Sequence, residues 1–277
     1  MTTVPNFRLR EKRIYEIIEK KVGRFIMNIE SIENLRDLGG IVTRDGRHIK
    51  KNILIRSGAL HKVSDEDAAE LKKKGLQRVI DLRSGLERRE KPDREIDGVE
   101  NIHLPIFSET VLGISRDSMS VRQVMNTMWM DMPYLYRGMV ERPEALEQFS
   151  KVLSLIMGQK DGAVLWHCSA GKDRCGLTAV LCLHMLGADR DTIFADYLES
   201  NKTAGPFAEK IYKKVLAESG DEQRADYMRR LFLADGEYLE ASLDRMDSLY
   251  GGIDGYIRDG LKITDAQIEE FRERCLE

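Results

Sequence analysis

The chain has 277 residues, with 44 lysines and arginines against 47 aspartates and glutamates, and a formal net charge of −3. Hydrophobic residues make up 42% of the chain and charged residues 33%, which is typical of a folded globular protein and excludes a disordered chain. The near balance of charge argues against a nucleic-acid binder that works through a strongly basic surface. The longest apolar run, residues 177–188, is interrupted by His184 and is too short to cross a bilayer.

The cysteines and histidines form no pattern typical of a disulfide scaffold or a metal site. Four cysteines are too few for a disulfide framework in a chain of this length, and no CxxC pair occurs. The histidines are scattered, so neither a metal nor another cofactor is expected. The N-terminus lacks the apolar core of a signal peptide, which favours a cytoplasmic protein, with export by a signal-less route left open. No sequence feature specifies an oligomeric state.

The first predicted elements are a basic helix and a hairpin. Residues 1–24 place apolar side chains on one helical face, which fits a helix docked on the domain or, alternatively, a basic helix on a membrane surface. We treat residues 1–27 as an N-terminal helical extension and residues 28–277 as the main domain. Residues 41–49 predict a β-hairpin that turns at Asp45–Gly46, because glycine accepts a positive φ at little steric cost.

Strands and helices alternate over the middle of the chain. Short apolar runs predict strands at 53–55, 78–82, 101–104 and 163–166. Between them, Ser64 and Asp67 form a capping-box pattern that opens a helix through Leu71, and Gly75 ends it. This alternation predicts an α/β fold with a mainly parallel central sheet flanked by helices.

The rest of the chain reads as helical. A helix over 177–186 should end at Gly187, and Thr264–Gln267 forms a capping box that opens a terminal helix over 265–274. Six of the 12 methionines lie between Met119 and Met139. Because methionine adapts to irregular surroundings, this stretch is either core filler or a mobile flap beside a pocket.

The most informative segment is the loop His167–Arg174, HCSAGKDR, which follows an apolar strand and precedes a helix. In this position the loop amides and the positive end of the helix can converge on one anion. Arg174, six positions after Cys168, can hold two oxygens of the same anion. The segment therefore predicts a cradle for a tetrahedral oxyanion, formed by Ser169, Ala170, Gly171, Lys172 and Arg174, with the Cys168 sulfur beneath it.

The same positive field should ionise the sulfur. Helix N-termini and nearby cations lower a thiol pKa from about 8.5 to roughly 3.5–7.5, so Cys168 is expected to be a thiolate at neutral pH. It could attack a bound phosphate and form a cysteinyl-phosphate, with Asp173 as general acid. Arg174, Lys172 and the amides would supply the positive charge, so the reaction needs no metal.

Three other interpretations remain open at this point. Cys168 could be an inert buried thiol, with Arg174 in an ordinary salt bridge. A relay through Cys175 and Cys182 could reduce an oxyanion such as arsenate, although two helical turns separate these two thiols. The loop could also retain the cradle and bind phosphorylated ligands without turnover. The presence of Cys168, Asp173 and Arg174 together speaks against this binding module.

The loop and four further segments resemble the bacterial tyrosine phosphatases with an HCxxGKDRTG loop, which belong to the cysteine-dependent phosphatase superfamily. The segments are Asn34–Gly40 (NLRDLGG), Asp81–Arg83 followed by Glu87 and Pro92–Asp93, Asp196–Asn201 (DYLESN), and the region from Glu237 to Tyr256. The resemblance covers residues 28 to 277 and implies a protein-tyrosine-phosphatase-like catalytic domain there.

The resemblance also implies roles for individual residues. Cys168 carries over as nucleophile, Arg174 as phosphate ligand and Asp173 as general acid. Lys172 is associated in this family with phosphoinositide as well as phosphoprotein substrates, so phosphotyrosine, phosphoserine, phosphothreonine and phosphoinositides are all candidate substrates. Helices after the loop, residues 201–245 here, can form a lid over the pocket.

One position departs from the family pattern, because Cys175 stands where threonine is usual. A thiol is a weaker hydrogen-bond donor than a hydroxyl, so we expect slower hydrolysis of the cysteinyl-phosphate. The alternative is that Cys175 simply packs at the start of the helix.

Several residues are expected to support the loop rather than react. His167 should hydrogen-bond the loop. Asp37, with Arg36, either braces the loop or forms a local salt bridge. Asp81, at the end of a buried strand, either orients Arg174 or serves as an alternative acid. Asp131 is a weaker candidate acid, and Asp196 and Ser200 are expected near the site. The charge runs Lys72–Lys74 and Glu87–Glu90 are expected to be solvated.

Overall fold

A five-stranded sheet lies at the centre of the part of the chain that the structure describes. The structure, a computed structural model, describes residues 29–107 and 131–277. The strands are β1 Arg36–Asp37, β2 Leu54–Ser57, β3 Leu76–Asp81, β4 Glu100–His103 and β5 Ala163–His167, and they lie in the order β1-β2-β5-β3-β4. Only β1 runs antiparallel to its neighbour, so the predicted mainly parallel sheet is confirmed.

Strand β5 occupies the centre of the sheet. All five of its residues are buried, as expected for a run that reads AVLWH and is covered on both faces. It pairs with β2 on one side and β3 on the other, and His167 lies opposite both Ser57 and Asp81. The carboxyl ends of three parallel strands therefore meet beside residue 168.

The described helices cover both faces of this sheet. They are α1 Asp65–Lys73, α2 Gly85–Glu90, α3 Met132–Glu141, α4 Pro143–Met157, α5 Asp173–Leu186, α6 Arg190–Glu199, α7 Asn201–Ser219, α8 Glu222–Phe232, α9 Gly236–Tyr250 and α10 Asp265–Cys275. A short turn, Ile253–Gly255, continues into a π-helical turn, Tyr256–Gly260. Within residues 29–107 and 131–277, no helix combines the length and apolarity needed to cross a bilayer.

Alternation along the strands divides the core between the two faces of the sheet. Leu54, Ile80 and Trp166 belong to the larger cluster, which includes α3 to α10. Their chain neighbours Ile55, Val79 and Leu165 belong to the smaller cluster, with Leu71 of α1. Successive strand side chains point to opposite faces, so one sheet serves two apolar layers.

Most of the predicted elements are confirmed, with shifts at their ends. The hairpin forms through a Val42–His48 bridge, and Gly46 has φ +84°. The predicted stop at Gly187 is confirmed by its left-handed φ of +90°, and Thr264 and Gln267 form the reciprocal capping box. Helix α5 begins at Asp173, four residues before the predicted start, because the loop after β5 runs directly into it.

The pattern at Ser64 is only half a capping box. Ser64 accepts a hydrogen bond from the Asp67 amide, but the Asp67 carboxylate accepts from Ser31 instead of reaching back to Ser64.

The predicted helix over 1–24 and most of the methionine-rich stretch, residues 119–130, lie outside the described residues. The two methionines of this stretch that lie in α3, Met132 and Met139, are buried core residues.

Candidate active site

Hydrogen-bond donors outside the loop between β5 and α5 hold the loop by its carbonyl groups. The carbonyl of Ser169 accepts from the Ala59 amide at 3.1 Å, and that of Ala170 from Asn34 Nδ2 at 2.9 Å. The Gly171 carbonyl accepts from Arg56 Nη2 at 2.8 Å. The N–H and C=O of a trans peptide point in opposite directions, so tying these carbonyls outward turns the following amides towards the inside of the loop. Inward amides are what an oxyanion cradle requires.

Gly171 permits this loop to lie against β2. Its φ is +68°, and a Cβ there would lie 2.5 Å from the carbonyl carbon of Ser57 and 2.6 Å from the Gly58 amide nitrogen. Both the backbone conformation and the space therefore require glycine at this position. The loop can reach the carboxyl end of β2 only because this residue has no side chain.

The Cys168 sulfur is the most acidic thiol in the described structure. Burial opposes ionisation, but a hydrogen bond from Cys175 and the charge of Arg174 outweigh it and lower the pKa of Cys168 to about 6. Burial and the nearby Cys168 raise the pKa of Cys175 well above its usual value. Cys175 therefore stays a protonated donor beside a thiolate. Its Sγ also lies 3.7 Å from the Ser57 carbonyl oxygen.

Arg174 is oriented by Glu87 of α2. Its Nη1 and Nη2 donate to the two carboxylate oxygens at 2.6 and 2.7 Å, a bidentate pair. Glu87 also accepts from the Ser169 hydroxyl and from the Ser84 amide, in a reciprocal capping box at the start of α2. Burial would raise the pKa of Glu87, but Arg174 and these hydrogen bonds hold it well below its usual range.

Two sequence-based expectations are wrong here. Glu87 is not a solvated residue of a charge run: it is 5% exposed, and the loop needs it. Asp81 does not orient Arg174, because its carboxylate instead accepts three hydrogen bonds from Arg83, each at 2.9 Å. The capping-box spacing of Ser84 and Glu87 could have identified Glu87 from the sequence. No nearby residue indicated that Glu87 also pairs with Arg174.

Asp173 begins α5 and is held by a pair of buried tyrosines. Tyr136 of α3 donates its hydroxyl to Asp173 Oδ1 at 2.5 Å, and the Tyr136 and Tyr197 hydroxyl oxygens are 2.7 Å apart. Burial and the charge of Asp173 raise the pKa of both phenols well above their usual value, so they remain donors. Neither tyrosine was predicted as a site residue. Asp131, the weaker candidate acid, caps α3 through the Tyr134 amide.

A buried ion network supports the loop from the β1–β2 side. Asp196 accepts from Arg36 Nε at 2.7 Å and from Arg56 Nη1 at 2.5 Å, and Arg56 in turn reaches the loop carbonyls. Arg36 also donates to Asn34 Oδ1 at 2.6 Å, next to the Ala170 contact. Ser200 lies within this network, 3.3 Å from Arg36 Nη2. Arg56 is fully buried and was not predicted as a site residue; the available signal was an arginine within the apolar strand sequence ILIRS, residues 53–57.

Asp37 does not brace the catalytic loop. Its carboxylate accepts from the Gly39 amide at 2.9 Å and from the Asn52 amide at 2.6 Å. Asp37 therefore holds the turn that leads from β1 to the hairpin. Of the predicted pair, Arg36 alone acts on the loop, through Asp196 and Asn34.

The polar atoms of His167 and Lys172 contact groups other than the Cys168 sulfur. His167 Nε2 lies 3.0 Å from Asp93 Oδ2, and Nδ1 lies 3.4 Å from the Cys168 carbonyl oxygen. Burial would lower the pKa of His167, but Asp93 and Asp81 raise it above its usual value. Lys172 is 3% exposed and its Nζ donates to the carbonyls of Leu231 and Leu233 at 3.2 and 3.1 Å.

One group of described side chains has the composition of a metal site. Ligand atoms of Asp81, Asp93 and His167 all lie within 4.8 Å of one another. The two carboxylates already pair with Arg83, at 2.9 and 2.6 Å, and Asp81 also lies 3.2 Å from Arg88. Cationic side chains thus occupy the positions that a metal ion would take, and we read the group as a support for His167.

The loop opens into a cavity of 370 Å³. Ser169, Ala170 and Lys172 line it from the loop, and Glu87 from α2. Helices α7 and α8, within the segment predicted to form a lid, contribute Thr203, Ala204, Phe207 and Phe232. The predicted covering helices therefore do form part of the pocket wall.

A thiolate in an amide-lined loop at the carboxyl end of a central parallel strand, faced by an oriented arginine, defines a cysteine-dependent phosphatase. The model of the tyrosine phosphatase family matches residues 27–277, and the chain belongs to this family.

Three relatives match over most of their length. A protein of Cupriavidus necator, whose name assigns it as a tyrosine-protein phosphatase, is 30% identical in an alignment of 256 residues that covers 89% of this chain and 88% of the relative. The triple specificity protein phosphatase PtpB of Mycobacterium tuberculosis is 30% identical in an alignment of 271 residues that covers 86% of this chain and 95% of the relative. A tyrosine-protein phosphatase of Nostoc commune is 28% identical in an alignment of 246 residues that covers 82% of this chain and 75% of the relative.

Proposed function

We propose that this tyrosine phosphatase works through a cysteinyl-phosphate on Cys168, with Asp173 as general acid. The observation that carries the proposal is the Cys168 sulfur, whose pKa is lowered to about 6 at the base of a loop with inward amides. A phosphate dianion placed there meets the amides and the Arg174 guanidinium at its oxygens and the thiolate at phosphorus. Family membership favours this chemistry over the arsenate-type relay and over a silent binding module.

The reaction proceeds in two displacements. Cys168 Sγ bonds to phosphorus as the ester P–O bond breaks, and Asp173 gives its proton to the leaving oxygen. Water then attacks phosphorus, Asp173 takes a proton from it, and Cys168 leaves as a thiolate with inorganic phosphate as product. Tyr136, which donates to Asp173 Oδ1 at 2.5 Å, fixes the orientation of this carboxyl group. That Cys175 slows the second displacement stays a prediction.

The preferred substrate that we propose is phosphotyrosine in proteins. Phe207 and Phe232, whose ring centroids lie 5.1 Å apart, offer an apolar wall to an aromatic ring in the cavity. Phosphoserine, phosphothreonine and phosphoinositides remain secondary candidates. The name of PtpB, triple specificity, supports including more than one substrate class in a test.

The experiment that tests the proposal is alkylation of Cys168 by iodoacetate as a function of pH. Because only the thiolate reacts, the rate should rise through a midpoint near pH 6 and then level off. Saturating vanadate, which mimics the phosphate, should protect the sulfur. Burial raises the pKa of Cys175, Cys182 and Cys275, so peptide mapping should find these three thiols unmodified near pH 6. A midpoint above pH 8, or alkylation that vanadate does not slow, would refute the proposal.

Replacing the proposed acid should separate two kinds of substrate. Asp173→Asn should slow a phosphoserine peptide by about 10²-fold or more, because its alkoxide leaving group needs a proton. The same variant should slow p-nitrophenyl phosphate by less than about tenfold, since that phenolate leaves without help. Asp131→Asn, which affects the cap of α3 and an ion pair with Arg137 at 3.6 Å, is the matched control and should change neither rate appreciably. Equal losses on both substrates would move the acid role away from Asp173.

A further inference from the structure

The cavity beside the loop has a wall of basic side chains that the proposed reaction does not use. His61, Lys62, Lys91 and Arg83 line it together with the loop residues. Arg83 is already engaged by Asp81 and Asp93. Lys62 is exposed, and no carboxylate of the described residues lies within ion-pair distance of it. The chain as a whole carries a net charge of −3, so this local excess of positive charge does not follow from composition.

The charges of the neighbouring cations converge on His61. Burial is the largest cause that lowers the pKa of His61, and the charges of Lys91, Lys62 and Arg83 lower it further, against an opposing contribution from Asp93. Three side chains from two separate segments thus project their charge onto the same imidazole. Two carboxylates, Glu33 and Glu87, also line the cavity. The charge of Glu87 is already balanced by Arg174, so Glu33 is the remaining anion of the wall.

His61 also carries an unsatisfied polar atom. Its Nδ1 is buried and has no hydrogen-bond partner among the described residues. Such atoms are rare in folded proteins, because an unpaired buried polar group costs about 1–3 kcal/mol. Because Nδ1 is buried, a ligand can reach the imidazole only through its other edge, and an anion bound there would relieve the repulsion among Lys62, Lys91 and Arg83.

We propose that His61 and Lys62 form a second anion subsite, which binds a phosphate or carboxylate group next to the phosphotyrosine of a peptide substrate. The inference rests on the proposed function, since the phosphate to be hydrolysed must lie in the loop. A peptide is favoured over an inositol phosphate because the same cavity presents Phe207, 43% exposed, and Phe232. These rings suit the phenyl group of phosphotyrosine and offer nothing to a polyhydroxylated ring.

The test combines substrate and enzyme variants. Three peptides of one sequence carry phosphotyrosine flanked by alanine, by glutamate or by phosphoserine. The wild type should prefer the glutamate peptide to the alanine peptide by about three- to fivefold in kcat/KM, as expected for one exposed charge pair, and the phosphoserine peptide by more. Lys62→Ala should lose this preference while it keeps its rate on the alanine peptide.

Two controls make the result specific. Lys151→Ala removes an exposed lysine that pairs with Glu147 on α4, away from the cavity lining, and should retain the full preference. His61→Ala, tested in parallel, should weaken the preference as Lys62→Ala does. p-Nitrophenyl phosphate carries no second anion, so its hydrolysis tests the proposed function separately and should be unchanged in both cavity variants.

Three results would overturn the subsite. The first is a wild-type enzyme with the same kcat/KM on all three peptides. The second is a Lys62→Ala variant whose kcat/KM falls by the same factor on each peptide. The third is a Lys62→Ala variant that keeps the peptide preferences and loses activity only on a soluble inositol bisphosphate, which would assign the wall to inositol phosphates instead.

Discussion

Cys168→Ser should abolish turnover of p-nitrophenyl phosphate, with kcat lowered by about 10⁴-fold or more. The sulfur is ionised at neutral pH because its pKa is lowered to about 6, whereas a serine hydroxyl in the same place stays protonated and has no base beside it. Cys175, which donates a hydrogen bond to Cys168, has a raised pKa and cannot act as the base. The measurement is steady-state phosphate release near pH 7.

The same variant should still bind a phosphotyrosyl peptide. The hydrogen bonds that position Arg174 on Glu87 and that hold the loop carbonyls do not involve the sulfur. The oxyanion cradle should therefore remain assembled. Cys182→Ser replaces another fully buried thiol of α5 and controls for the general cost of such a change. Turnover by Cys168→Ser within tenfold of the wild-type rate would exclude Cys168 as the nucleophile.

Glu87→Gln should lower kcat/KM by about 10²-fold without removing the nucleophile. The amide can accept one hydrogen bond from Arg174 but presents an NH₂ group to the other, so the bidentate pair at 2.6 and 2.7 Å cannot persist. The guanidinium then loses the orientation that aims it at the phosphate. Breaking a buried ion pair from one side also costs about 3–5 kcal/mol of unfolding free energy. Urea denaturation measures that cost beside the kinetics.

Glu90→Gln is the matched control, three residues further along α2 and exposed. It should leave both kcat/KM and stability close to wild type.

The pH dependence of stability gives a third readout. The folded pKa of Glu87 is depressed, so its contribution to stability is present above the unfolded carboxyl pKa, about 4.3, and is lost as pH falls towards the folded value. The stability gap between wild type and Glu87→Gln should therefore narrow below about pH 4. A kcat/KM equal to that of Glu90→Gln would contradict the orienting role.

Features encoded within a few residues of one another were predictable from the sequence. Neighbouring residues alone specify strand β5, through its apolar run, and the end of α5, through Gly187. The same holds for the start of α10 at the Thr264–Gln267 capping box. The loop HCSAGKDR is equally local: strand, turn and helix follow one another, and the cradle is formed by consecutive residues. Its position at the centre of the sheet follows from the burial of the strand before it.

The partners of that loop were not predictable in the same way. Glu87 lies 87 positions before Arg174, and Tyr136 lies 37 before Asp173. A buried Arg174 needs a carboxylate partner, and the sequence contains several candidates. From the sequence alone, Asp81 was as reasonable a choice as Glu87. Asp37 and Arg36 are neighbours in one short strand, where alternation sends their side chains to opposite sides, so only one of them reaches the loop network.

The left-handed glycine at 171 sets a limit on how this enzyme can be altered. In a site-saturation library across the loop, selection for activity should return glycine alone at position 171, because even one methyl group would overlap the backbone of Ser57 and Gly58. Changes of specificity must therefore come from the outer rim of the cavity, where side chains such as Lys62 and Phe207 can vary without moving the main chain.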